Sequence, residues 1–172
     1  MDPTEICRRI GEEKTKAIFL EMTAEGMRKV LREAKLSTVR IASHTTTRRR
    51  NQDWAQRLWR TIAEKPTTGA AATLLFEWLT RTRRPMLSEL LSGLGVSHDG
   101  GLTDADFMQA AAPEKLLNGG RNLLQHFDRQ EVAVYLLFLD ATNKTGHFAP
   151  LGLEPLLSPA GSASPPAVLP DG

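Results

Sequence analysis

The sequence predicts an all-α protein, a small bundle of about six to seven helices with a basic helical N-terminal part and a disordered, proline-rich C-terminal tail. Three observations support this prediction. Apolar residues recur at spacings of three and four along most of the 172 residues, which is the period of an amphipathic helix. The strand-like run Ile18-Phe19-Leu20 has no second such run nearby to pair with. Six of the ten prolines fall within the last 32 residues.

We divide the chain into three regions on this basis. Residues 1–66 form the basic N-terminal helical region, residues 67–141 the acidic and apolar helical bundle, and residues 142–172 a flexible tail. The tail is predicted because a stretch rich in proline, glycine and serine buries too little apolar surface to offset the entropy lost on ordering.

Two helices are predicted before residue 37. Pro3 suits the first turn of the first helix, which we expect to continue into the apolar stretch 17–22, although Gly11 weakens its middle. Thr23 is a suitable N-cap for the second helix. The apolar stripe of that helix consists of Met27, Val30, Leu31 and Ala34.

Residues 36–51 have no clear period and are predicted as a loop that ends in three arginines. Asp53 is the predicted cap of the next helix. Its apolar face consists of Trp54, Leu58, Trp59 and Ile62. The two tryptophans could stack on bases of a single strand, but their helical spacing with Leu58 and Ile62 favours a place in the core.

Five helical segments follow. They are 70–82, 86–94, a brief helix that carries Phe107 and Met108, 113–127, and the apolar segment 132–139. Gly119 and Gly120 predict a break or kink inside the fourth of these. Asp128 and Glu131 have the spacing of a capping box at the start of the last one, which we expect to be central in the bundle.

Charge is divided unevenly along the chain. Residues 1–84 carry 18 Lys and Arg against 10 Asp and Glu, a net charge of +8. Residues 85–172 carry 4 against 10, a net charge of −6. This asymmetry predicts either a basic surface for an anionic partner or two surfaces that pair with each other.

The candidate binding site is a set of eight arginines, whose planar guanidinium groups suit bidentate binding of phosphate. The triple arginine precedes one predicted helix, and Arg81, Arg83 and Arg84 follow at the end of the next helix, 70–82. If these two helices pack antiparallel, both groups of arginines lie at the same end of the pair. The alternative is that these arginines form a solvated surface or pair with acids of the second half. The set comprises Arg48, Arg49, Arg50, Arg57, Arg60, Arg81, Arg83 and Arg84.

Patterns typical of catalysis are missing from the sequence. It contains no phosphate-binding loop, dinucleotide fingerprint or nucleophile elbow, and no histidine pair has the spacing of a helical metal site. We therefore predict no catalytic residues, no metal and no cofactor. His98 and Asp99 beside two glycines are the best enzyme candidate, although a turn is the simpler interpretation. Cys7 has no identifiable base partner and cannot form an internal disulfide.

These observations favour a non-enzymatic helical module that contacts a nucleic-acid backbone through its arginines. The alternative is a protein–protein adaptor or self-assembling subunit that pairs basic and acidic halves of different copies. We expect no membrane partner, because the longest apolar run, Val132–Leu139, is far shorter than the roughly 20 residues that span a bilayer. A single cysteine and the absence of a secretory signal in the sequence predict a cytoplasmic protein.

Overall fold

The computed structural model describes residues 1–36, 46–65 and 68–158. These residues form eight α-helices and two short 3₁₀ helices and contain no β-strand, which confirms the all-α prediction. The α-helices are α1 (Pro3–Leu20), α2 (Ala24–Glu33), α3 (Thr47–Glu64), α4 (Gly69–Thr82), α5 (Arg84–Leu94), α6 (Phe107–Ala110), α7 (Pro113–His126) and α8 (Arg129–Asn143). The 3₁₀ helices are Ala149–Leu151 and Glu154–Leu157.

Helix α1 lies between α3 and α4 and packs against both of them. It runs antiparallel to α3: Nε of Arg8 donates a hydrogen bond of 3.2 Å to the carbonyl of Ile62, and Nζ of Lys16 lies 3.4 Å from Oε1 of Gln56. The start of α3 is therefore close to the end of α1.

Helix α4 runs parallel to α1. The amide of Thr68 donates to Oγ1 of Thr4 at 3.0 Å, and Nε1 of Trp78 donates to Oε2 of Glu21 at 3.0 Å. The end of α4 is thus also close to the end of α1. Helix α2 packs on the outside of α4, α5 packs on α7, and α8 contacts α1, α7 and the second 3₁₀ helix.

One apolar core joins the two regions that the sequence analysis separated at residue 66. Phe19 and Leu58 from the N-terminal region lie in the same buried cluster as Trp78, Leu136 and Phe148. Burying these large side chains together supplies most of the favourable free energy of such a fold.

A kink interrupts α1 at Gly11, which has φ 84° and ψ 172°. Only glycine adopts such a conformation without strain, so the residue that weakened the helix prediction marks a real change of direction. A hydrogen bond joins the two sides of this kink: Oγ1 of buried Thr15 donates to the carbonyl of Cys7 at 3.0 Å.

The break that we predicted at Gly119 and Gly120 is absent, because α7 continues through both residues. The glycines instead permit close packing. A Cβ atom on Gly119 would lie 2.7 Å from Cδ1 of Leu90, and one on Gly120 would lie 2.8 Å from Cδ1 of Leu151.

The ordered fold extends beyond the predicted tail boundary at residue 142. Phe148, Leu153 and Leu157 are buried in the core, and the carboxylate of Asp140 accepts hydrogen bonds from Oγ1 of Thr145 and from the amides of His147 and Phe148. The apolar side chains of this segment gain enough burial to order it despite its prolines. The rest of the predicted tail, residues 159–172, lies outside the described residues.

No helix in the described ranges combines the length and the apolar character that crossing a bilayer requires.

Candidate functional site

Helix α3 begins earlier than the sequence analysis predicted, and this changes the setting of the triple arginine. Thr46 is the N-cap, with its Oγ1 accepting a 3.4 Å hydrogen bond from the amide of Arg49. Asp53, the predicted cap, lies inside the helix. Arg48, Arg49 and Arg50 therefore occupy the first turn of a helix rather than the end of a loop. Most of that predicted loop, residues 37–45, lies outside the described residues.

Three cations in this first turn oppose the helix macrodipole. The N-terminus of a helix carries partial positive charge, so each nearby cation costs about 0.3–1 kcal/mol at an exposed site. The first turn of α3 contains no acidic residue to offset this charge. The free amides of the turn and the three guanidinium groups together create a strongly positive helix end, which an anion would relieve.

Four of the five α3 arginines lie on one side of the helix. At about 100° per residue, Arg49, Arg50, Arg57 and Arg60 fall within a quarter to a third of the helix circumference, together with Asp53. The opposite side carries the buried residues Ala55, Leu58 and Ile62. All five arginines are exposed. Among the described residues, none of them has an acidic partner within ion-pair distance. We call Arg48, Arg49, Arg50, Arg57 and Arg60 the α3 arginine cluster.

Two features shape the surface of this cluster. The guanidinium of Arg57 lies over the ring of Trp54, 6.0 Å from its centroid. A shallow depression of about 390 Å³ is lined by Asp53, Gln56, Arg57 and Arg60. Trp54 and Trp59 are half-buried against the core, consistent with their expected packing role.

Arg83 has a different environment from the α3 arginine cluster. Its Nε and Nη2 each lie 2.7 Å from a carboxylate oxygen of Glu131, and Nη2 also lies 3.2 Å from Oε2 of Glu21. Its guanidinium sits 4.8 Å from the centroid of the Trp78 ring. This side chain joins α1 and α8 at the end of α4, and its guanidinium is occupied by carboxylates of its own chain.

Glu131 is held ionised by these contacts. Partial burial of Glu131 acts to raise its pKa, but hydrogen bonds and charge from Arg83, with Lys14 at 3.3 Å, outweigh burial and leave the pKa lowered. Asp128 does cap α8 by accepting from the amide of Glu131 at 3.0 Å. The carboxylate of Glu131 binds Arg83 and does not accept a hydrogen bond from the amide of Asp128. Only half of the predicted capping box therefore forms.

Arg81 is also occupied by acids of its own chain. Its Nε lies 3.3 Å from buried Glu77, and its Nη2 lies 3.7 Å from Glu25. Lys29 completes the group at 2.9 Å from Glu77. Arg84 is exposed and donates from Nε to the carbonyl of Thr80 at 2.9 Å. We call Arg81, Arg83 and Arg84 the α4-end cluster.

The two clusters lie toward the same end of the fold, where α1 ends. Helices α3 and α4 do not form the directly packed pair that was considered as one way to bring them there. Helix α1 separates them. The eight predicted arginines therefore form two sets with different neighbours. The two sets lie at the same end of the fold but do not form one continuous surface.

His98 contacts Ser92, but the geometry opposes base catalysis. Nδ1 of His98 accepts a hydrogen bond from the amide of Gly101 at 3.2 Å, so in the neutral ring Nε2 carries the proton. Nε2 lies 2.8 Å from Oγ of Ser92 and donates to it. A serine nucleophile needs the reverse arrangement, in which the histidine accepts the hydroxyl proton. This contact therefore holds the loop that follows α5 against the end of that helix.

Cys7 and the acidic residues add no reactive site in the described part of the chain. Burial, with a smaller effect of Asp2, raises the pKa of the Cys7 thiol to about 12, so it stays protonated at neutral pH. Over residues 1–36, 46–65 and 68–158, no three His, Cys, Asp or Glu side chains lie close enough together to hold a metal ion.

Comparison of the chain with family models, curated proteins and solved structures found no significant match.

Sequence reasoning missed the Arg83–Glu131 pair and the contact between Ser92 and His98. The first joins residues 48 positions apart, and no local pattern connects them. The second joins residues six positions apart across the end of α5, where Gly95 in the left-handed conformation reverses the chain. A glycine C-cap before the histidine was the available signal for this turn.

Proposed function

We propose that this protein is a non-enzymatic helical module that binds the phosphate backbone of a nucleic acid through the α3 arginine cluster. The observation that carries the proposal is that five exposed arginines on one helix have no acidic partner among the described residues. Guanidinium groups of this kind bind phosphate oxygens and release condensed counterions from the polymer.

The unfavourable placement of Arg48, Arg49 and Arg50 at a helix N-terminus supports the proposal. Positive charge there costs free energy in the free protein and is compensated when an anion approaches. Arg57 and Arg60 extend the positive surface along α3 for nearly three further turns, a length of about 15 Å from Arg50. That length corresponds to several phosphates of one strand.

Ion pairs within one chain weaken the case for head-to-tail pairing of basic and acidic halves. Arg83 and Lys14 pair with Glu131, and Arg9 pairs with Glu154 at 2.7 Å. These contacts already join basic residues of the first half to acids of the second half. Among the described residues, the arginines of the α3 arginine cluster have no such acidic partner and stay accessible to an outside anion.

The test is fluorescence anisotropy with labelled duplex DNA, single-stranded DNA and RNA over a series of salt concentrations. We expect binding that weakens log-linearly with salt, because each neutralised phosphate releases counterions. The informative pair of variants is Arg57→Ala with Arg60→Ala, and Arg28→Ala with Arg32→Ala on α2, where both arginines are also exposed.

The two double variants remove equal charge from the basic part of the chain. We expect the α3 variant to lose about tenfold in affinity at low salt and the α2 variant to lose at most about twofold, since it removes only long-range attraction. Equal losses would show that net charge alone drives the binding. The absence of salt-sensitive binding to all three nucleic acids would refute the proposed function.

A further inference from the structure

An apolar groove lies on a part of the fold distinct from the α3 arginine cluster. It is formed by α4, α5, α8, the loop 101–103 and Phe107 at the start of α6, and has a volume of about 270 Å³. Its walls are almost entirely apolar. They include Phe76, Leu102, Phe107, Tyr135, Phe138 and Leu139.

Two residues at this groove are unusually exposed for their type. The side chain of Phe76 is 53% exposed and that of Leu102 is 38% exposed, and they are two of the four large hydrophobic residues that the described chain leaves exposed. The other large apolar residues of α4 are all buried; they are Leu74, Leu75, Trp78 and Leu79. An exposed aromatic residue beside an apolar depression is typical of a surface that a partner covers.

Tyr135 contributes a polar atom to the groove. Its side chain is buried, yet its hydroxyl has no hydrogen-bond partner among the described residues. The described part of the fold contains no unsatisfied polar side-chain atom that is fully buried, so this hydroxyl must keep some contact with solvent. Tyr135 is among the residues that line the groove, where a bound partner can supply a hydrogen bond to such a hydroxyl.

The loop along one edge of the groove is acidic. Asp99, Asp104 and Asp106 are exposed, and none of them has a basic partner among the described residues. Arg84 approaches the same loop, with its Nη1 lying 3.3 Å from where a Cβ atom of Gly100 would be. The net charge of this edge remains negative, so it is complementary to a basic partner.

We propose that the groove binds a short amphipathic helix of a protein partner, which inserts apolar side chains beside Phe76 and presents Lys or Arg to Asp104 and Asp106. A volume of about 270 Å³ suits a few anchoring side chains and is smaller than the roughly 300–1,000 Å³ typical of small-molecule pockets. Helix-in-groove recognition uses anchors at spacings of three and four residues, which fits a groove between helices. The acidic edge then selects basic over acidic partners.

The probe is a labelled designed helical peptide with leucines at positions i, i+4 and i+7 and lysines on the flanks, compared with a peptide in which every lysine is glutamate. Binding to the full chain is measured by anisotropy at moderate salt. We expect the lysine peptide to bind at least tenfold more tightly than the glutamate peptide. Phe76→Asp and, separately, Leu102→Asp should each reduce its affinity at least tenfold, with circular dichroism confirming the fold.

The matched control is Leu20→Asp, which places the same charge at another exposed leucine, 40% exposed and outside the groove. We expect it to leave peptide affinity within twofold of the unchanged protein. Asp104→Asn with Asp106→Asn should weaken the lysine peptide several-fold and reduce its dependence on salt. No binding of the lysine peptide, or equal losses in Leu20→Asp and Phe76→Asp, would overturn the proposal. Self-association that Phe76→Asp abolishes would also overturn it, since a second copy would then be the occupant.

Discussion

The two arginine clusters have similar sequences, but two arginines of one are paired with acidic residues and, among the described residues, none of the other is. In the α4-end cluster, Arg81 and Arg83 meet carboxylates from three other parts of the chain, and Arg83 also covers the ring of Trp78. In the α3 arginine cluster, the side chains extend from a helix that packs on α1 through its opposite side. Arg81 and Arg83 join different parts of the fold through these ion pairs, whereas the α3 arginine cluster is left exposed at a cost to its own helix.

This difference shows that an arginine's role depends on which acids the fold places within its reach. Glu21, Glu77 and Glu131 are all near the end of α4, since α1 ends there and α8 begins there. The start of α3 is near the same end of α1, but no described carboxylate reaches its arginines. Substitutions in the two clusters should therefore differ both in the size and in the sign of their effect on stability.

Among these substitutions, Arg83→Ala should produce the largest loss of folding stability. It leaves Glu131 and Glu21 without their main cation and uncovers the Trp78 ring. We expect the free energy of unfolding to fall by about 2 kcal/mol, less than for a fully buried pair because Arg83 is partly exposed. Urea denaturation with an unchanged m-value measures this. Arg84→Ala is the adjacent control and should change stability by less than about 0.5 kcal/mol. Similar values for the two variants would contradict the role assigned to Arg83.

The Arg83–Glu131 pair should also appear in the pH dependence of stability. The pKa of Glu131 is lowered in the folded protein from its ordinary value of 4.5. Its ionised form therefore stabilises the fold fully above about pH 4.5, and this contribution declines as pH falls through the lower folded value.

Glu131→Gln tests that pH dependence. The stability difference between the unchanged protein and this variant should be constant from pH 7 to pH 5 and shrink below pH 4.5. Thermal unfolding across this pH range is the measurement. A difference that stays constant down to pH 3 would mean that the charge of Glu131 contributes no net stability.

Changing Arg48, Arg49 and Arg50 together to alanine should have the smallest effect on stability, with the opposite sign. It removes three cations from a helix N-terminus and adds residues of high helix propensity. We expect stability to rise by about 1 kcal/mol in urea denaturation at low salt, the lower end of the cost of three such cations. A clear loss would show that these side chains make stabilising contacts, and they would then resemble the α4-end cluster.

Much of the fold could be predicted because its helices carry strong local patterns. The apolar stripes of α2, α4, α5 and α8 and the caps Thr23 and Asp128 follow from spacings of a few residues. The start of α3 was missed because its first turn has no apolar residue, so periodicity gives no signal before Trp54. Gly119 and Gly120 were misjudged because their function is contact with Leu90 and Leu151, which local sequence does not reveal.

For the candidate site, the sequence indicated only which arginines are concentrated in one part of the chain, and not how the fold groups them. Counting arginines identified all eight, but dividing them into two clusters requires knowing that Glu131 and Glu21 reach Arg83. The groove at Phe76 was also hidden, because Phe76 is surrounded by the apolar residues of a buried helix and has no sequence feature that marks it as exposed. Both depend on tertiary packing.

The most direct test of the central claim is the salt dependence of duplex DNA binding for two variants. One replaces Arg48, Arg49 and Arg50 with alanine, and the other is Arg81→Ala, whose side chain is paired with Glu77 and Glu25. Each phosphate contact adds about 0.9 to the slope of log K against log salt. We predict that the first variant reduces the slope by about 2 to 3 and that Arg81→Ala leaves it unchanged. An unchanged slope in the first variant, or an equal reduction per arginine in both, would contradict the division into a binding cluster and a structural cluster.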